Sequence, residues 1–475
     1  MDRGCPGTAV ASPRPATHLR ARRPARLAAD RGERPHHPGR RRTRGPARPP
    51  RVGVRSAPPV VHGRRGRHLR RRRRDHRRGV RLPERRGEHP PRNRGELRRS
   101  DDHLRAPSRK RGDRHPALRF GGRGSTPGRG RQRMNALRAG IIGAGSWATI
   151  AHIPTLAGCE DVELVSVCRR GDDALTRLQD RWGFAVATED YRAALEPGLD
   201  IVVVASPTSF HPEHVSAALA AGAHVLCEKP MSMRGGDAWD LVAAAERADR
   251  QLLISFGWNF MPIFRRARHA LDARGIGRLE HVTVHMSSAT RELLSGSGSY
   301  PDADPTTTPD AATWTDPRIS GGGYGQAQLS HALGLLFGLF PVRVVDVAAM
   351  TSAELGAPVE THVAMAARFD NGGIGAISGG SHHTGAWNDK HQLEVRAIGS
   401  EGQLIVDAHR ELVWIHRIDG TEERIDLRPG EGAYDATGPA RALVEVARGR
   451  LEENTAPGEL GARTVEALEL LYAHT

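Results

Sequence analysis

"LRAGIIGAGSWATIAHIP", residues 137–154, decides the fold. An apolar run from Leu137 to Ile142 meets a glycine corner, and residues patterned as a helix follow. Gly143-Ala144-Gly145-Ser146-Trp147-Ala148 fits the spacing G-x-G-x-x-G/A. In such a turn Gly143 permits the tight reversal, Gly145 leaves bare backbone for a pyrophosphate, and Ala148 lets the helix pack closely on the strand. Ser146 and Trp147 open the helix, where unpaired N–H groups and the positive end of the dipole favour phosphate. The pattern predicts dinucleotide binding; the alternative is a merely tight strand-to-helix turn.

Downstream, strand and helix alternate. "VELVSVC" (162–168), "DIVVVASP" (200–207), "HVLCEKP" (224–230) and "LLISFGW" (252–258) read as strands. Helical segments begin at Asp172 and His211 and cover about 237–248. Continuous apolar strands between helices mean a parallel sheet covered on both faces. After residue 259 the grammar changes. "LEHVTVHMSS", "VRVVDVAAMTSA", "THVAMAARFDNGGIGAISGGS", "HQLEVRAIGSEGQLIVD" and "ELVWIHRIDGTEERIDL" alternate apolar and polar residues around hairpin turns. The expected architecture is an α/β Rossmann domain over 134–258, then an α+β domain over 259–475 with an open-faced, mostly antiparallel sheet and closing helices. One face of that sheet could pair with another copy of the chain.

Upstream, the 475-residue chain looks different. Residues 1–133 hold 41 Arg and one Lys against 10 acidic residues, whereas the remainder carries 29 basic and 44 acidic ones. The overall charge of +17 therefore averages a basic segment and an acidic one. Self-repulsion and scarce apolar surface predict disorder for 1–133. Three readings compete for it. A basic tail could hold nucleic acid through phosphate contacts, the less favoured view. A targeting segment is disfavoured, because no apolar core of roughly 7–15 residues follows the charges. The favoured expectation is a start assigned too early, since no Met lies between Met1 and Met134.

An acid at the end of the second strand, about 20 residues past the glycines, would accept from a ribose 2′-hydroxyl. This chain has "VCRRGDD" there. Arg169 and Arg170 can clamp a 2′-phosphate or stack on adenine, which favours NADP(H) over NAD(H). The alternative is two solvated arginines, with Asp172 or Asp173 serving NAD. "CEKP" (227–230) closes a strand at the carboxyl edge, where such sheets bind ligands. A partly desolvated Lys229 there, beside a cationic nicotinamide, would have a lowered pKa and could assist proton transfer.

The glycine turn, "SPTSFHPEH" after the fourth strand and "HVLCEKP" after the fifth together resemble the Gfo/Idh/MocA oxidoreductases over essentially all of 134–475. The resemblance implies a Rossmann domain and an open-faced sheet domain often used for oligomerisation. It implies sugar, cyclitol or related alcohol and ketone substrates, and a Lys-Pro bond that is often cis. By position, Lys229 would be the catalytic lysine, and Ser206, Pro207, Thr208, His211 and Glu228 would border the cofactor. Members commonly carry an Asp four residues before a His, after a Gly-Gly-Gly run. In "SGGGYGQAQLSHALG" His331 matches that His, but Ala327 stands four before it and Gln328 three before. On a regular helix either would share the face of His331. Gln328 can orient a hydroxyl but cannot titrate, so acid–base work would fall to Lys229 and His331; the alternative for His331 is a core or interface role. Asn259 stands where the family often has a basic residue, at the substrate.

Cys5, Cys159, Cys168 and Cys227 show no metal spacing, and buried thiols in a reducing, cytoplasmic compartment are expected. His382-His383 reads as a polar loop, because Trp387, Asn388 and Asp389 do not complete a ligand set; no metal is expected. "HALGLLFGLFPV" is too short to span a bilayer. The sequence thus predicts a nicotinamide-dependent oxidoreductase acting on a small CH–OH substrate. The rival is a dinucleotide-binding sensor or scaffold without turnover.

Overall fold

The computed structural model describes residues 136–298, 306–308, 310–382 and 391–474. The expectations for residues 1–133 and for His383 lie outside these. Six parallel strands form the first sheet: β1 Leu137–Ile142, β2 Val162–Cys168, β3 Val186–Thr188, β4 Ile201–Val204, β5 His224–Cys227 and β6 Leu252–Ile254. Their order is β3-β2-β1-β4-β5-β6. The order reverses between β1 and β4, which opens a crevice at the carboxyl ends of the strands, where α/β sheets take ligands. Helices cover both faces, so Ile141, Val167, Val203, Leu226 and Ile254 are all fully buried or nearly so. This explains apolar runs without alternation.

The helix after the glycine corner is not regular at its start. Ala148–His152 winds as a π-helical turn before α-helix Ile153–Ala157. A second π-turn, Gly325–Leu329, precedes helix Ser330–Leu339 in the other half. Such turns recur at functional sites because they re-aim backbone and side chains.

The second sheet has eight strands: β7 Leu279–Ser287, β8 Val344–Ser352, β9 His362–Phe369, β10 Ile374–Gly380, β11 Gln392–Gly399, β12 Gly402–Asp407, β13 Leu412–Arg417 and β14 Glu422–Ile425. The order β14-β13-β12-β11-β7-β10-β9-β8 places β7 centrally. Pairing is antiparallel except between β7 and β10. Alternation sorts the faces: Val363, Met365, Ala367 and Phe369 of β9 point inward, while Ala364, Ala366 and Arg368 face out. Met350, Ile374 and Ile398 lie exposed on other strands.

After the second sheet the chain returns to the first. Leu253 of β6 forms an antiparallel bridge with Pro457, and Ile254 donates its N–H to Ala456. The final helix, Gly458–Ala473, packs on helix Gly235–Ala248 of the Rossmann half and on β8 of the other. One C-terminal element therefore joins both sheets. No described helix is long and apolar enough to cross a membrane.

Leu226 lies fully buried mid-strand in β5. Leu226→Ala is expected to lower unfolding free energy by about 2–5 kcal/mol, the usual cost of deleting a core leucine. Denaturant titration checks this, and a loss below about 1 kcal/mol would contradict the packing described.

Candidate active site

Four loops meet at the carboxyl edge of the parallel sheet. The first is the glycine corner. Gly143 has φ +88°, and a side chain there would run into the Ser206 backbone, so the fold itself demands glycine. Gly145 is different: a Cβ built on it meets nothing among the described residues within 4 Å. The protein leaves that backbone bare toward open space at a helix start, which suits a pyrophosphate. Ala148 is sealed in the core. Thr149 Oγ1 donates to the Ser146 carbonyl (2.9 Å) and lies 3.1 Å from Thr307 Oγ1. Ser146 Oγ also reaches the Thr307 carbonyl, at 3.4 Å, so the β7–β8 connection touches the corner.

At the end of β2, Arg169 arches back over the corner. Its Nη1 donates to the Ala144 carbonyl (3.2 Å) and its Nε to the Arg170 carbonyl (3.0 Å). Burial, and then the charge of Arg177, lowers its pKa. Arg170 is exposed, and Asp172 and Asp173 lie in the first turn of the following helix.

Glu228, Lys229 and Pro230 leave β5 together, and the Lys229–Pro230 peptide is cis. Glu228 is buried and accepts from His152 Nε2 (2.7 Å) and the Lys229 N–H (3.1 Å). Burial opposes its charge, but His152, Lys229 and the Ser255 hydroxyl outweigh it and hold the carboxyl below the ordinary glutamate range. From the loop after β4, the His211 ring spans two carbonyl oxygens, Pro230 at 2.9 Å and Ser206 at 2.6 Å. Burial lowers its pKa against the pull of those carbonyls. Ser206 Oγ is bonded to His214 Nδ1 (2.9 Å), while Pro207 leads into the short turn Thr208–Phe210. This loop clamps the Lys-Pro turn from one side.

From the other half, Ala327 presents its carbonyl to Lys229 Nζ at 2.6 Å. Burial lowers the Lys229 pKa while Glu228 pulls it upward. His331, one turn further on, is buried, and its Nδ1 has no hydrogen-bond partner among the described residues. Burial, Lys229 and His391 push its pKa well below the ordinary histidine value. The segment carrying Ala327 and Gln328 winds as the π-turn Gly325–Leu329, not as the regular helix that the spacing to His331 assumed. Gln328 is buried on the same turn. Asn259 is also buried, and its Nδ2 donates to the Gly334 carbonyl (3.1 Å), fastening the helix that bears His331.

Three participants escaped the sequence reading. His152 stands four residues past Ala148, beyond the motif, and only its bond to Glu228 reveals it. Tyr434 comes from beyond β14 and packs 5.0 Å from Trp258, 6.3 Å from His331 and 6.5 Å from Trp147. His391, at the start of β11, lies 5.8 Å from the Tyr434 ring. No local pattern marks the last two. Composition also singles out Lys229: Lys110, Lys229 and Lys390 are the only lysines in the chain. Where arginine is otherwise the rule, a retained lysine points to an amine that must lose its proton. Among the described residues, no three His, Cys, Asp or Glu side chains group as metal ligands, and Cys159, Cys168 and Cys227 are unpaired.

Family comparison agrees with this geometry. Residues 137–256 match the oxidoreductase family with an NAD-binding Rossmann fold, and residues 264–405 match the GFO/IDH/MocA C-terminal domain. D-glucoside 3-dehydrogenase of Escherichia coli is 37% identical over 151 residues, 31% of this chain and 42% of that protein. The chain thus aligns with less than half of that relative's length. dTDP-3,4-didehydro-2,6-dideoxy-alpha-D-glucose 3-reductase of Streptomyces violaceoruber is 27% identical over 340 residues, 67% of this chain and 87% of that one. An inositol dehydrogenase homolog from Azotobacter vinelandii, solved with NAD+, shares the fold: TM-score 0.56, 20% identity, 72% of this chain and 95% of that one.

The depressed His331 pKa has a stability consequence with a definite sign. Below the unfolded value of about 6.5 the unfolded chain binds a proton that the folded one refuses, so stability falls as pH drops through that value and is unaffected above it. His331→Gln is expected to flatten this part of the stability–pH curve between pH of about 5 and 6.5. Denaturant midpoints across that range check it, and an unchanged slope would contradict the buried, neutral ring.

Proposed function

The chain belongs to the Gfo/Idh/MocA oxidoreductases, and on that premise we propose that it transfers a hydride between a nicotinamide dinucleotide and a CH–OH carbon of a sugar, cyclitol or related alcohol or ketone. The observation that carries this is the placement of one desolvated amine, Lys229, on the same sheet edge as the bare Gly145 backbone. When bound, the nicotinamide supplies the hydride acceptor or donor.

The chain's own residues supply the rest. Gly143, Gly145, Ser146, Trp147 and Ala148 form a cradle for the pyrophosphate, and Ser206, Pro207, Thr208, His211 and Glu228 form its second wall. Lys229, with its pKa lowered, holds a proton at Nζ for a substrate carbonyl oxygen during reduction and takes one from a hydroxyl during oxidation. His331 stays neutral and offers its free Nδ1 as a second hydrogen-bonding and proton-exchanging atom. Gln328 orients a hydroxyl. Asn259 acts on the substrate side through the helix it fastens. The names of the two curated relatives, both acting on sugar derivatives, support a substrate of that class.

Arg169 over the corner and Arg170 exposed beside it support NADP(H) over NAD(H), since both can meet a 2′-phosphate. The exposed Met350, Ile374 and Ile398 support pairing of the open sheet with a second copy of the chain. One feature favours a second reading, a dinucleotide-binding sensor without turnover: Ala327 stands where the family resemblance calls for an acid.

Thermal shift is expected to rise more with NADPH than with NADH, and Arg169→Ala with Arg170→Ala should abolish the difference. Equal shifts for both coenzymes in the wild type would refute the preference. In coenzyme turnover across glucosides, nucleotide sugars and cyclitols, Lys229→Ala should cost at least about a hundredfold in kcat. A wild-type rate in that variant would overturn the acid–base assignment. Tight coenzyme binding with no consumption by any substrate class would favour the sensor.

A further inference from the structure

The Gly-Gly-Gly-Tyr-Gly run before His331 is held from outside its own helix. Glu360, between β8 and β9, accepts the Gly323 N–H on Oε2 (2.9 Å) and the Gly325 N–H on Oε1 (3.0 Å). Its backbone carbonyl accepts the Tyr324 N–H (2.8 Å). Tyr472, near the end of the last helix, donates to Glu360 Oε1 (2.6 Å) and accepts the Gln326 N–H (3.1 Å). Four consecutive amides at the start of the π-turn are thus satisfied by two residues distant in sequence. Helix N-terminal amides have no partner within the helix, and a carboxylate meets both their hydrogen bonds and their dipole.

The glycines themselves point the same way. A Cβ on Gly322 or Gly325 would strike the Tyr472 ring or hydroxyl, and one on Gly323 would strike the Glu360 backbone oxygen. The run is bare because Glu360 and Tyr472 lie directly against it. Directly after the capped amides sits Ala327, whose carbonyl receives Lys229 Nζ, and His331 follows on the next helical segment.

We infer that Glu360 and Tyr472 are positioning residues, a two-part cap that fixes the π-turn so that the Ala327 carbonyl stays against the Lys229 amine. Neither touches the amine. Their effect passes through the backbone of 323–327. When the cap is lost the turn loosens, water reaches Nζ, and the desolvation that lowers the amine's proton affinity is relieved. This inference rests on the reading of Lys229 as the acid–base group, but its test does not need a substrate.

Because the chain has only three lysines, trace acetylation of the full-length protein followed by peptide mass spectrometry reads Lys229 on its own. Its labelling rate as a function of pH gives the midpoint of the amine. Glu360→Ala should raise that midpoint by about one pH unit, the scale on which desolvation acts, and speed labelling once corrected for ionisation. Glu360→Gln, which keeps one acceptor oxygen, should fall between the two, and Tyr472→Phe should move in the same direction by less. Leu178→Ala, in the core on helix Asp172–Trp182, serves as the control for general destabilisation and should leave the midpoint alone. If Glu360→Ala does not fold, the milder Tyr472→Phe decides. A wild-type Lys229 midpoint and rate in the folded cap variants would overturn the inference, even if their Tm falls. Should Lys229→Ala retain full turnover, the acid–base reading fails while the labelling result stands.

Discussion

Lys229 Nζ and the Ala327 carbonyl, 2.6 Å apart, join the two halves of the molecule at the point where chemistry is expected. A partly buried amine is costly to leave without an acceptor, so the carbonyl that meets it must be held in place. Each half supplies its own holding device. On the Rossmann side, Glu228 is fixed by His152 and the Lys-Pro turn by His211. On the other, Asn259 and the amide cap fasten the segment carrying Ala327 and His331. Removing a member of such a buried set leaves a charge without its partner, whereas exposed ion pairs elsewhere contribute little.

The C-terminal helix gives this arrangement its rigidity. It crosses from β6 to β8, brings Tyr472 to the π-turn, and carries Glu466 to Trp239 Nε1 and to Arg343. Trp239 lies on helix Gly235–Ala248 of the Rossmann half, and Arg343 directly precedes β8 of the other. A relative shift of the sheets would therefore break contacts at Lys229 and along this helix together. The apolar contacts of Gly458–Ala473 supply most of the stabilisation, since its ion pair with Arg343 is half-exposed and modest in effect.

Much of this was legible in the sequence. The β-branched run IVVV gave away β4, short apolar runs before turn signals marked β1 and β5, and period-two alternation marked β7 through β14, because burial on two faces or one leaves different patterns. β3, three residues long and only half-buried, carries no such pattern. The glycine corner and the Lys-Pro turn were found because their chemistry is local. The contacts of His152, Tyr434, Glu360 and Tyr472 were not, since each acts on residues that are distant in sequence. The meeting of the Ala327 carbonyl with Lys229 was also hidden, because the two lie 98 residues apart. Propensity does not announce a π-turn, and the groups that satisfy its first amides lie more than 30 residues away.

The corner at Gly145 is kept bare for a ligand, since no described residue fills it. Calorimetric titration of Gly145→Val with NADPH and NADH, alongside its denaturant stability, tests this most directly. The account predicts a variant that unfolds within about 1 kcal/mol of the wild type yet binds neither coenzyme. Coenzyme binding as tight as in the wild type would contradict it.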